Sequence, residues 1–320
     1  VSAARVAGAA LGVAAATGAA AFAWGALVER NRFTIRSEVV PILAPGARPI
    51  TVLHLSDLHL APWQHAKQQW VESLRMIVEP DLVVDTGDNL GHAEGLAGVR
   101  AALDVFEGVP GVFVHGSNDY FGPQFKNPFA YFGGPSARRE KAHTLDTGAL
   151  EDYLENRLGW LNLNNRVHAL DLRGSRLEFF GVNDAHRGWD RLDRLPGLLE
   201  EMRENVGGDA SGPAPVSIGV THSPYRRVLD AFVTNGADLI LAGHTHGGQV
   251  RIPGRPALVT NCDIPPAQAQ GLSLWRHARR ASYLNVSAGI GTSIYAPVRF
   301  ACPPEAVVLT LVAGDEPESW

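Results

Sequence analysis

Five short apolar runs, each ending in a turn of small and polar residues, constrain the fold of this chain more than any other feature. They are residues 51–56, 82–85, 112–115, 217–220 and 239–242. Each is too short for a stable helix and is apolar on both faces, the pattern of a strand buried on two sides. Helical periodicity lies between them. Trp70, Leu74, Ile77 and Val78 form one stripe, and Val99, Ala102, Leu103 and Phe106 form another. This alternation predicts an α/β fold with parallel pairing and crossover helices. Alternating segments at 176–181 and 306–311 read as further strands, which makes the sheet mixed.

The polar residues that follow the five strands carry the chemistry. They are Asp57-Leu58-His59, Gly87-Asp88-Asn89, Gly116-Ser117-Asn118-Asp119, Thr221-His222-Ser223 and Gly243-His244-Thr245-His246. In open α/β sheets, sites form beyond the carboxyl ends of strands, so five such turns can converge. The Asp-x-His and His-x-His pairs present both side chains to one side if the backbone stays extended. Carboxylate plus imidazole without thiolate suits Mn, Fe, Zn or Co. Alone, each turn reads as a cap or a satisfied buried histidine; together, in this order, they read as a metal site. The chain has 320 residues, 12 of them histidine, and a net charge of -5, which excludes a globally basic nucleic-acid binder. Cys262 and Cys302 are its only cysteines, too few for a disulfide scaffold or a four-cysteine zinc site, though they leave one pairing open.

These motifs resemble those of the calcineurin-like metallophosphoesterases, whose order is Asp-x-His, Gly-Asp, Gly-Asn-His-Asp/Glu, a lone His and Gly-His-x-His. The resemblance spans residues 50–311. Residues 243–249, with Asn285-Val286-Ser287 and the segment 299–305, are similar to the membrane-anchored bacterial phosphodiesterase subgroup. Relatives of that subgroup include UDP-2,3-diacylglucosamine pyrophosphatases. The resemblance implies two mixed β-sheets flanked by helices, two divalent metal ions, and a phosphodiester or pyrophosphate substrate, in this subgroup a lipid-linked one. Carried over by motif, Asp57, His59 and His246 hold one metal; His222, His244 and the third-motif amide hold the other. Asp88 bridges both, and a water shared between the cations attacks phosphorus. Asp88, Asn118 and His244 are then the catalytic positions. No nucleic-acid partner is expected. The alternative is a non-catalytic metal-binding scaffold of the same fold.

The third motif departs from the pattern. A gapless match sets Ser117 against the family's metal-binding Asn and Asn118 against its His. A shift of one residue lets Asn118 supply the amide oxygen, so Asn118 is the expected ligand. Either way the motif histidine is missing, and an amide cannot act as an acid near neutrality. His92, His115 and His186 are the candidate replacement donors, with a structural or solvated role the favoured reading of each. Arg251 and Arg299 are candidates for binding substrate charge, or equally surface or structural arginines.

Outside the motifs, residues 6–28 carry no charge and are long enough to cross a hydrocarbon core of about 30 Å. They read as an uncleaved anchor with Trp24 at its interfacial end, or as a signal peptide cleaved near Ala23, or as a core helix. The expected organisation is an anchor at 1–30, a connector at 31–49, a catalytic domain at 50–313 and a tail at 314–320. Within the domain, an aromatic and basic loop at 120–150 is expected to border the site, and residues 205–215 read as a surface linker.

Overall fold

The computed structural model describes residues 3–125, 143–206 and 214–314. Its strands form two six-stranded mixed sheets. The first has the order β1-β12-β2-β3-β4-β5, built from Thr34–Leu43, Glu305–Ala313, Ile50–Leu55, Leu82–Asp85, Gly111–Phe113 and Leu161–Asn162. Here β12 runs parallel to β1 and antiparallel to β2, and β2 through β5 are parallel. The second has the order β10-β11-β9-β8-β7-β6, built from Gly271–His277, Arg280–Val286, Leu239–Ala242, Val216–Thr221, Ser175–Gly181 and Val167–Leu172. Its outer pairs β10·β11 and β6·β7 are antiparallel and the inner ones parallel.

Side-chain alternation along these strands divides the core into layers. Val52, Val84 and Val112 meet Phe179, Val220 and Leu241 between the sheets. Leu53, Leu55 and Phe113 point the other way, onto helices α2 (His65–Val78) and α3 (Gly95–Leu103). On the far side, Phe180, Ile240 and Leu284 receive Val228, Leu229 and Phe232 of α4 (Arg226–Thr234). Every inner strand is therefore covered on both faces, which is why its sequence is apolar without alternation. One polar exception is His54, whose ring is shared between Thr86 Oγ1 at 3.0 Å and the Asn285 amide at 2.9 Å. Burial pushes its pKa down to about 3, so it stays neutral.

Two expectations need correction. Residues 34–43, placed in a connector, form edge strand β1, and the partly buried ion pair of Arg36 with Glu305 at 3.0 Å fixes it to β12. Ile77, assigned to the apolar stripe of α2, is exposed; Val71 makes the contact in its place, beside the expected Leu74, Trp70 and Val78. Cys262 and Cys302 are both buried and free. The N-terminal segment forms helix α1 (Ala3–Ala23), continued by a wider turn at Trp24–Val28. Much of the loop at 120–150, including Phe129, Tyr131, Phe132, Arg138, Arg139 and Lys141, lies outside the described residues, as do residues 207–213 of the expected linker and most of the tail.

Candidate metal centre

The five turns lie together at the carboxyl ends of β2, β3, β4, β8 and β9, and the ligand-bearing residues of the first, second and fifth are not extended. Asp57, His59, Asp88, His244 and His246 have φ of 51°, 41°, 59°, 68° and 48°, all in the left-handed region. This corrects the expectation of extended Asp-x-His and His-x-His pairs. Non-glycine residues rarely adopt this conformation and do so at a cost of about 1 kcal/mol or more each. Here it curls each turn so that both polar side chains face one point.

Asp57 Oδ1 lies 3.5 Å from His246 Nε2 and 3.9 Å from His59 Nε2. The two Nε2 atoms are 3.3 Å apart. Asp88 faces both sides of the cluster: Oδ2 is 3.6 Å from His59 Nε2, and Oδ1 is 3.5 Å from His222 Nε2. His244 Nδ1 lies 3.2 Å from His222 Nε2. Asp57, His59 and His246 thus form one group with ligand spacing, and Asp57, Asp88 and His222 form another.

Outer contacts aim these groups. Asp57 Oδ2 accepts from Ser56 Oγ at 2.6 Å and from the His244 amide at 3.0 Å. His222 Nδ1 donates to the Thr86 carbonyl at 2.7 Å, which turns Nε2 inward. His244 Nε2 lies 3.2 Å from the Asn261 carbonyl, which leaves Nδ1 facing the cluster. The remaining oxygen, Asp57 Oδ1, is buried and has no donor among the described residues. Burial pushes the His59 and His246 pKa values down to about 4 and about 3, so both rings are neutral. A hydrogen bond between their Nε2 atoms can satisfy only that pair and leaves Asp57 Oδ1 bare. An orphaned buried carboxylate oxygen beside two neutral imidazole nitrogens is what a divalent cation would complete. The residues fit a metal.

The third motif sends its side chains in opposite directions. Asn118 Nδ2 donates to Asp88 Oδ2 at 2.6 Å, and its backbone amide donates to Asp88 Oδ1 at 2.8 Å. Ser117 Oγ instead donates to Asp184 Oδ2. The structure thus brings Asn118, rather than Ser117, onto Asp88. Asp119 is a clamp that sequence reasoning missed. Its two oxygens accept from the amides of Asp88 at 2.8 Å, Gly116 at 2.9 Å, Asn89 at 2.7 Å and Leu90 at 3.3 Å. One buried carboxylate therefore ties the second motif to the third. Asp184 was also missed. It follows β7 in Asn183-Asp184-Ala185-His186, another Asp-x-His turn after a strand, and that repeated pattern was the available signal.

The three candidate donors separate. His115 is buried between Glu151 Oε1 at 3.1 Å and Asp119 Oδ2 at 3.6 Å. Although burial opposes its charge, these carboxylates push its pKa up to about 9. His92 stacks edge-on against Trp63. His186 is the one beside the cluster, its ring centre 4.9 Å from that of His244 and its Nδ1 2.8 Å from the Tyr225 hydroxyl. Of the two readings open for the arginines, both take the structural one. Arg299 is fully buried and donates to the carbonyls of Ala288, Gly289, Gly291 and Cys302. Arg251 is held by the Gly247 carbonyl and by Gln270 Oε1.

A fold of two helix-flanked mixed sheets with carboxylate and imidazole groups gathered at the strand ends defines a metal-site hydrolase architecture. The profile of the calcineurin-like phosphoesterases matches residues 50–248, and the chain belongs to that family. The uncharacterized protein YpbG of Bacillus subtilis (strain 168) is 27% identical over 277 residues, covering 83% of this chain and 82% of its own length. The uncharacterized metallophosphoesterase YkuE of the same organism is 22% identical over 297 residues, covering 89% and 86%. The structure of Haemophilus influenzae NAD nucleotidase (NadN) aligns with a TM-score of 0.44 at 12% identity, over 76% of this chain and 51% of that one.

Proposed function

We propose that this chain is a dinuclear metal-dependent hydrolase of a phosphodiester or pyrophosphate bond. Asp57, His59 and His246 hold one divalent cation; His222, His244 and the Asn118 amide hold the second; Asp88 bridges them. The observation that carries the reading is the unpartnered Asp57 Oδ1, buried and aimed with His59 and His246 at one point. Cations bound there supply the Lewis acidity that lowers the pKa of a water and neutralises phosphoryl charge.

The chain's own residues hold this geometry. Asp119 fixes the Gly87-Asp88-Asn89 turn, and Asn118 fixes both Asp88 oxygens. With Asn118 as the ligand amide the motif has no histidine left to assist the leaving group, and an amide cannot donate a proton in its stead. The enzyme therefore favours leaving groups that depart unprotonated, such as the phosphate side of a pyrophosphate. The apolar α1 supports a reading in which the enzyme sits at the cell membrane and acts on a lipid-linked envelope phosphate ester.

The test is manganese-stimulated hydrolysis of bis(p-nitrophenyl) phosphate, abolished by Asp88→Asn and His244→Ala. Pyrophosphate-linked substrates should be cleaved faster than alkyl diesters, and equal rates would sink the leaving-group argument. Bound metal without activity on any phosphate ester would establish the scaffold reading instead.

A further inference from the structure

Residues Arg5–Asn31 form a helical stretch long and apolar enough to cross a membrane, and none of its most apolar window is buried against the described residues. Val6, Leu11, Val13, Phe22 and Leu27 are all exposed. The end of this stretch, however, is built into the catalytic domain. Gly25 O accepts from the Arg299 amide at 3.2 Å, and a Cβ on Gly25 would lie 2.6 Å from Arg299 O and 2.9 Å from Val298 Cγ1. Only a glycine allows this approach. One turn later, the buried Glu29 accepts from Trp24 Nε1 at 2.9 Å and from the Cys302 amide at 2.7 Å.

The same loop reaches the metal-site residues. The Arg299 guanidinium gathers the carbonyls of Ala288, Gly289 and Gly291, and the Gly291 amide bonds Asp57 O at 2.6 Å. Cys302 Sγ lies 3.4 Å from His246 O. Three residues thus connect the helix end to the loops that carry Asp57 and His246.

Gly25 lies about 30 Å along the helix from Arg5. The loop packed on it therefore sits at the depth where a spanning helix leaves the hydrocarbon. That loop bears exposed Tyr295, edge-on to exposed Phe125 at 6.3 Å. Beside it runs the segment bearing exposed Val250 and Ile252, joined by the Val250–Phe300 bridge and by Gln249 Nε2 to Ala296 O and Val298 O. This segment begins just after His246, whose side chain is 15% exposed against 0–4% for Asp57, His59, Asp88 and His222. The open side of the metal cluster thus adjoins an apolar lip continuous with the base of the helix.

We propose that this lip is a lipid-bilayer contact. The joint at Gly25, Glu29, Arg299 and Cys302 seats Val250, Ile252, Tyr295 and Phe125 in the headgroup region, and the site takes its phosphate ester from the membrane plane. The proposal rests on the reading of α1 as a membrane span, and its substrate clause rests on the phosphoesterase reading. Full-length protein is reconstituted into vesicles of phosphatidylcholine and phosphatidylglycerol. Single nitrobenzoxadiazole labels are placed through Ile252→Cys, Tyr295→Cys, Leu27→Cys and Met76→Cys, the native cysteines being buried. Met76 is exposed near the far end of α2, about 15–20 Å from its start.

Shallow doxyl-lipid quenching at positions 252 and 295 comparable to that at 27, with position 76 unquenched, is the expected result. Quenching at 27 alone would overturn the seating, and no quenching at 27 would overturn the span on which it depends. Gly25→Val should lower quenching at 252 and 295 at least twofold while 27 stays quenched; unchanged quenching would refute the joint. Manganese-dependent hydrolysis of bis(p-nitrophenyl) phosphate by the same samples reports separately on the phosphoesterase reading.

Discussion

Gly116→Ala tests the metal-site geometry without removing a ligand. Gly116 has φ -104° and ψ 177°, extended backbone that alanine adopts freely, so the substitution adds one methyl and no backbone strain. That methyl would lie 2.2 Å from Asp88 Oδ1 and 2.6 Å from His222 Nε2. Ordinary carbon–oxygen contact needs about 3.2 Å or more, so Asp88 and His222 must separate from it by roughly 1 Å. Neither has room to retreat. Asp88 is fixed through its backbone by Asp119, and His222 through Nδ1 by the Thr86 carbonyl. A displacement of this size costs on the order of a hundredfold in rate, about 2.7 kcal/mol of transition-state stabilisation. The assay is manganese-dependent hydrolysis of bis(p-nitrophenyl) phosphate, with bound metal counted by inductively coupled plasma mass spectrometry. Thermal melting checks the fold. The expected variant is folded, binds less metal and is at least a hundredfold slower. Wild-type rate and metal content would refute the claim that Asp88 and His222 work at their observed separation.

Other consequences are as specific. Asp119→Ala leaves four amides of the second and third motifs without their acceptor, and should cost on the order of 3–5 kcal/mol in urea unfolding as well as activity. Asn118→Ala should lower the number of tightly bound metals from two to one, whereas Ser117→Ala should leave both; metal titration by calorimetry checks this. His115 gives a pH dependence. Its pKa rises from about 6.5 unfolded to about 9 folded, so its stabilisation is complete below pH 6.5 and is lost as pH rises through about 9. The loss is on the order of 3 kcal/mol, and Glu151→Gln should shrink it in melts recorded across that range.

The sequence by itself determined the fold class and the identity of most candidate ligands. Strands buried on both faces have an uninterrupted apolar signature, and the turns that follow them hold polar residues in a short local order. Asp57, His59, Asp88, His222, His244 and His246 were legible because each sits within a few residues of such a strand. The same locality explains what was hidden. A two-residue spacing implied extended turns, but the left-handed φ of Asp57, His59, Asp88, His244 and His246 is imposed by contacts between turns. Asp119 reads locally as an ordinary motif residue, and its clamp exists only because β3 and β4 lie side by side.

Only the tertiary structure decided that residues 34–43 are a strand, since β1 is held by Glu305, 269 positions from Arg36. It alone decided that Arg299 is a buried strut rather than a substrate ligand. It also decided that Glu29 meets Cys302 across 273 residues and so ties the apolar helix to the metal-site loops. Periodicity records which face of an element is buried. It carries no record of which distant backbone group a buried side chain must satisfy, and those pairings hold this site in place.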